Sequence, residues 1–178
     1  MEGIDPEMYL ILCLGGSMGL RRAEMANIRM EDIRGTKLII HGKGHGPTGR
    51  MADVEMTQVV LSAMSEYLQM RQDFISKHGD HSEGYLLIQT YKTVGTRLSP
   101  DGIGHKVRRL GRERGVDITT HSLRRLFATV MAHNDIDYDT IRRKMRHSNI
   151  NTTIKCYIEA DPTRLAHADS VVDSVHFG

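Results

Sequence analysis

Cysteine is almost absent. Cys13 and Cys156 lie far apart in the 178-residue chain and form no Cys-x-x-Cys pair, which excludes a disulfide framework and a paired-thiolate metal motif. Long apolar runs are missing as well: the longest, residues 8–14, falls far short of the roughly 18 residues a membrane-crossing helix needs. The opening Met-Glu-Gly-Ile-Asp has no basic stretch before an apolar one, so no secretory leader is expected. What is present, 39% hydrophobic and 26% charged residues, suits one hydrated domain with a real core, and not a fibrous or disordered chain. A reduced, cytoplasmic protein with no membrane partner is expected.

Net charge is only +2, but it is unevenly spread: residues 101–155 carry twelve basic and six acidic side chains, and residues 156–178 one basic and four acidic. A partner bearing phosphates would be drawn to the third quarter of the chain. Seventeen of the 24 basic residues are arginine, the side chain suited to forked phosphate contacts.

The pattern predicts several helices and a small sheet. Asp5 and Pro6 start a helix carrying Met8, Leu10, Ile11, Leu12 and Leu14, and Gly15, Gly16 and Gly19 end it in a sharp turn before Arg21. A short helix with Met25 and Ile28 inward follows. Residues 37–41 and 50–54 read as a hairpin around the glycine-rich 42–49. A longer helix is expected over 57–75, with Val60, Leu61, Met64, Leu68 and Phe74 inward, then a polar loop over 77–84 and a short buried segment at 85–88. Ser99-Pro100 opens a helix with Ile103, Val107 and Leu110 inward, closed by Gly115. Thr119 or Thr120 caps another through Leu123, Leu126, Phe127 and Val130. Further helices begin near Asp137 and Ser148, with Asn134, a residue that tolerates a left-handed conformation, before the first of them.

Polar groups stand out from this frame. Arg21 and Glu24 share a helix face at spacing i, i+3, and Lys43 sits between two glycines in the hairpin turn. His121 and Arg124 place a proton carrier and a forked anion ligand on one side of a helix. His147 follows Arg142, Arg143, Lys144 and Arg146, with Tyr157 beyond it. A phenol among cations is a usable nucleophile. The run Lys106, Arg108, Arg109, Arg112 reads either as a solvated helix face or as a DNA-backbone contact. His41/His45 and His78/His81 have spacings open to zinc, but without Cys-x-x-Cys or His-Glu-x-x-His no metal is expected.

Taken in order, Gly19-Leu20-Arg21-Arg22-Ala23-Glu24-Met25, Gly42-Lys43-Gly44, His121-Ser122-Leu123-Arg124, and His147-Ser148-Asn149-Ile150 with Thr152, Thr153 and Tyr157 resemble the catalytic domain of the tyrosine recombinases, the phage-integrase family. The resemblance implies an α+β fold, predominantly helical with a small antiparallel sheet. Catalytic roles fall on Arg21, Lys43, His121, Arg124, His147 and the nucleophile Tyr157, with Glu24 in support. It implies cleavage and rejoining of double-stranded DNA through a 3′-phosphotyrosine, with no metal, ATP or other cofactor. DNA-backbone candidates are Lys106, Arg108, Arg109, Arg112, Arg142, Arg143 and Arg146.

Two departures accompany it: Met145-Arg146 stands where the family commonly has Leu-Gly, and His45 and Arg50 stand in for a further hairpin cation. Relatives carry an amino-terminal core-binding domain, so residues 1–178 are expected to be the catalytic domain alone, with a tail over about 160–178 that docks either on its own domain or on a neighbour. The implied protein is a monomer in isolation and a synaptic homotetramer on DNA, nucleoid-associated, of prokaryotic, viral or plasmid-borne origin. Relaxation of supercoils by a type IB topoisomerase-like reaction, or a silent DNA-binding module, are the alternatives.

Overall fold

The computed structural model describes residues 4–42 and 51–146. The chain divides into two compact units, residues 1–127 and 128–178, with the boundary inside one helix.

The first unit opens with α1 (Pro6–Gly16), started by the Asp5 carboxylate, which accepts from the Met8 N–H at 2.9 Å. Its apolar residues surround it almost completely: Leu10, Ile11 and Leu14 are fully buried, and α1 packs on α3 (Gln58–His78). Gly19, at φ +62°, turns the chain into α2 (Arg22–Asn27), where Met25 and Ile28 point inward. A 3-10 turn and the strands β1 (Ile33–Arg34), β2 (Lys37–His41) and β3 (Met51–Glu55) follow. The sheet is antiparallel in the order β1-β2-β3, with Leu38 opposite Val54 and Ile40 opposite Ala52. Leu38 and Ile40 are fully buried on the face toward the core, and Ile39 between them is buried as well. α4 (Pro100–Glu113), capped by Ser99 Oγ, packs on α2 and α1.

Among the described residues the predicted elements are present, with instructive differences. β1 is too short to announce itself in the pattern. The long helix runs on to His78, and its inward face includes Tyr67 and Arg71, which hydropathy alone would set outside. Tyr67 Oη donates to the Leu86 carbonyl at 2.9 Å and accepts from the Ile88 N–H at 3.2 Å. One turn on, Arg71 donates to Ser82 Oγ at 2.7 Å and to the Leu86 and Tyr85 carbonyls at 3.1 Å each. Together with backbone bonds from the Leu86 N–H to the Ile28 carbonyl and from the Leu98 N–H to the Leu87 carbonyl, these two side chains pair the polar backbone of the buried segment 86–88, which has only isolated bridges.

Lys106 differs in a way that bears on function. Its ammonium is bound to the carboxylate of buried Glu7 on α1, so it braces α1 against α4 and does not face solvent as a phosphate ligand. Burial pushes the Glu7 carboxyl above its ordinary range, more than Lys106 pulls it down.

α5 (Thr120–His133) begins at Thr119, whose Oγ1 accepts from the Ser122 N–H at 3.0 Å while Ser122 Oγ accepts from the Thr119 N–H at 2.6 Å. Leu126 and Val130, expected inward, are 52% and 51% exposed, and the buried positions are Arg124, Ala128 and Ala132. The helix therefore buries a stripe rotated from the one its largest apolar residues mark. Asp135, not Asn134, takes the left-handed conformation after it, at φ +57°. In the second unit α6 (Tyr138–Lys144) is capped by Asp137, with Ile141 and Met145 buried. The helix expected near Ser148 and the tail lie outside the described residues.

Candidate active site

Arg21 closes the turn that begins at Gly19 and stands at the start of α2. The buried Glu24 carboxylate holds it twice, accepting from the Arg21 backbone N–H at 2.8 Å and from its Nη1 at 2.7 Å. This bracket fixes the direction of a guanidinium whose side chain stays 42% exposed. The other end of α2 is held as firmly. Arg97 donates from Nε to the Ala26 carbonyl at 2.9 Å and reaches Asn27 Oδ1, while lying 4.1 Å from the Tyr85 ring centroid. A six-residue helix has little stability of its own, so these side chains decide where Arg21 points.

Arg124 comes from α5 to the same place. It is 4% exposed, and its Nη1 donates to the carbonyl of Gly19, 105 residues away in sequence and two before Arg21. Glycine is required there for two reasons. Its φ is +62°, and a Cβ would lie 2.5 Å from Phe127 Cδ1, on the helix turn next to Arg124. Gly15 serves the same approach, since a Cβ there would meet Leu123 at 3.0 Å. The sequence marks these glycines only as helix enders; their partners on α5 were not visible in it. Gly19→Ala is expected to cost about 2–5 kcal/mol, from the left-handed backbone and the overlap with Phe127, lowering the melting temperature by roughly 5–15 °C. Gly35→Ala, at φ +61° with nothing within 4 Å, should lose only the backbone part. Thermal unfolding followed by circular dichroism compares the two, and equal shifts would show that the approach to Phe127 is not tight.

His121, three residues before Arg124, is exposed in the first turn of α5. Arg21, Glu24, His121 and Arg124 thus stand on two segments joined at the Gly19 carbonyl. Arg108, Arg109 and Arg112 are exposed on α4, with Arg109 3.5 Å from Glu113. In the second unit Arg142 and Arg143 both pair with Asp139, at 2.7 and 2.6 Å, and hold its carboxyl below the usual range, Arg142 foremost. Arg146 sits at φ +54°, a left-handed conformation that glycine takes without strain. Lys43, His147 and Tyr157 lie outside the described residues. His41, weighed above for zinc, instead places Nε2 2.8 Å from buried Asp32, and no cluster of three metal-ligating side chains occurs among the described residues. No helix among them is long and apolar enough to cross a membrane.

The phage integrase family profile matches residues 4–164. The chain belongs to the phage integrase family. Among its curated relatives, the tyrosine recombinase XerA of Pyrococcus horikoshii is 29% identical over 85% of this chain and 50% of that protein. XerA of Thermococcus kodakarensis is 31% identical over 83% and 49%. This integrase-family chain therefore spans about half the length of the curated relatives it matches. Solved structures share the fold. A crystal structure of XerA recombinase superposes with a TM-score of 0.76 at 24% identity, covering 97% of this chain and 60% of that one. XerH recombinase bound to a palindromic difH substrate, a post-cleavage complex, gives 0.69 at 20%, covering 98% and 49%. The mixed, mainly helical architecture with a small antiparallel sheet is that of the family's catalytic domain.

Proposed function

We propose that this chain is the catalytic domain of a site-specific DNA recombinase, cleaving and rejoining duplex DNA through a covalent 3′-phosphotyrosine. The observation that carries the reading is the hydrogen bond from buried Arg124 to the Gly19 carbonyl, which joins the Arg124 segment to the Arg21–Glu24 segment. Two guanidinium groups from distant parts of a chain, one bracketed by a carboxylate and one by a carbonyl, are suited to the two nonbridging oxygens of a phosphodiester.

In the proposed reaction Arg21 and Arg124 neutralise and orient the scissile phosphate. The Tyr157 oxygen attacks phosphorus in line, forming the O–P bond as the P–O5′ bond breaks. His121 takes the phenol proton, Lys43 gives one to the departing 5′ oxygen, and His147 donates to a nonbridging oxygen. The phosphodiester energy is kept in the tyrosyl ester, so attack by a 5′-hydroxyl reseals the strand without ATP. If that hydroxyl comes from a partner duplex the outcome is recombination, and a homotetramer on two duplexes supplies it. Arg108, Arg109, Arg112 and Arg146 would add backbone contacts that position the duplex without reading its sequence.

The test is covalent capture on a panel of nicked attachment-site duplexes, with the adduct mapped by mass spectrometry. A tyrosyl ester at Tyr157 on the 3′ side of the break is expected. Cleavage without a covalent adduct, or an adduct at another residue, would overturn the proposal.

A further inference from the structure

Gly104 of α4 faces Arg22 of α2. A Cβ placed on it would lie 3.6 Å from Arg22 Nη1 and 3.7 Å from Arg108 Nη2. Two guanidinium groups from different helices thus converge over the α4 position that has no side chain. Arg22 already pairs at 3.0 Å with Asp101, a carboxylate 77% exposed. Arg108 has no hydrogen-bond or ion-pair partner among the described residues. One exposed carboxylate only partly offsets the repulsion of two cations held together, which leaves a position that favours a further anion with two acceptor oxygens.

The surroundings say which anion. Arg22 is the chain neighbour of Arg21, to which the proposed function gives the scissile phosphate. In the other direction Arg112, one turn beyond Arg108, lines an open groove of about 410 Å³ with Arg108, Gly115, Val116 and Asp117. Four residues of helix advance about 6 Å, on the scale that separates neighbouring phosphates of one strand.

We propose that Arg22 and Arg108 together grip one non-scissile phosphate of the DNA backbone, and that this phosphate displaces Asp101 from Arg22. The inference rests on the duplex-DNA reading and adds to it a shared site, a role for Arg22, to which the resemblance assigns none, and an internal competitor.

Binding of the full chain to a fluorescently labelled duplex, measured by anisotropy across a KCl titration, tests it. Arg22→Gln and Arg108→Gln should each weaken binding about tenfold. The double variant should be no more than about threefold weaker than either, with the slope of log K against log[KCl] reduced by about 0.9, the value of one phosphate. Asp101→Asn should bind several-fold more tightly. Additive losses with a slope change of about 1.8 mean two separate contacts and overturn the shared site; unaltered variants overturn it outright, and unchanged or weaker binding by Asp101→Asn overturns the displacement. A wild-type chain with no salt-dependent duplex binding fails the DNA reading and this inference with it. Wild-type binding with unaltered variants fails the inference alone.

Discussion

Tyr157→Phe is expected to abolish the covalent protein–DNA adduct while leaving duplex affinity within about twofold. The substitution removes one oxygen and keeps the ring, so packing and surface charge are unchanged and only the nucleophile is lost. In the proposed step the phenol oxygen is the nucleophile, so its loss leaves no oxygen to form the tyrosyl ester. Suicide-duplex capture on a denaturing gel gives the answer directly. A surviving adduct would move the nucleophile elsewhere, and lost affinity would mean that the phenol contributes to binding as well.

Arg124→Ala is expected to slow single-turnover cleavage at saturating DNA by about 10³-fold or more, the scale of losing a fixed donor or a charge-neutralising arginine in phosphoryl transfer. Arg124 is buried and spends one N–H on the Gly19 carbonyl. Its guanidinium holds its donors in one fixed planar fork, and the Gly19 carbonyl helps to set the orientation of that fork. A lysine ammonium has three rotatable donors and no fixed fork, so Arg124→Lys should recover less than a tenth of the lost rate. Alanine also removes the Nη1 donor that the Gly19 carbonyl accepts from, so the rates must be compared well below the melting temperature of each variant. A rate unchanged in Arg124→Ala would show that the guanidinium is structural, an anchor for the turn and nothing more.

The sequence carried the elements well where local chemistry decides them. Asp5-Pro6, Ser99-Pro100 and Asp137 mark helix starts because a carboxylate or hydroxyl before an unpaired N–H is favourable in any fold. The apolar run of β2 and the glycine-rich stretch after it mark the hairpin, because glycine is favoured where a chain must reverse. Inward faces were harder to read. Leu126 and Val130 look like core but are exposed, while Arg124 and Arg71 look like surface and are buried. A helix repeats its residues every 3.6 positions whatever lies beside it, so the stripe it buries depends on its neighbours.

The same division runs through the functional site. Arg21, Glu24, His121 and Arg124 are marked as candidates by residue type and spacing together with the family resemblance, since few side chains suit a phosphate. Their joining at the Gly19 carbonyl, the loss of Lys106 to Glu7, and the meeting of Arg22 with Arg108 over Gly104 came from packing. Each of those contacts links positions tens of residues apart, and a linear pattern holds no distance between such positions until the core has closed around them.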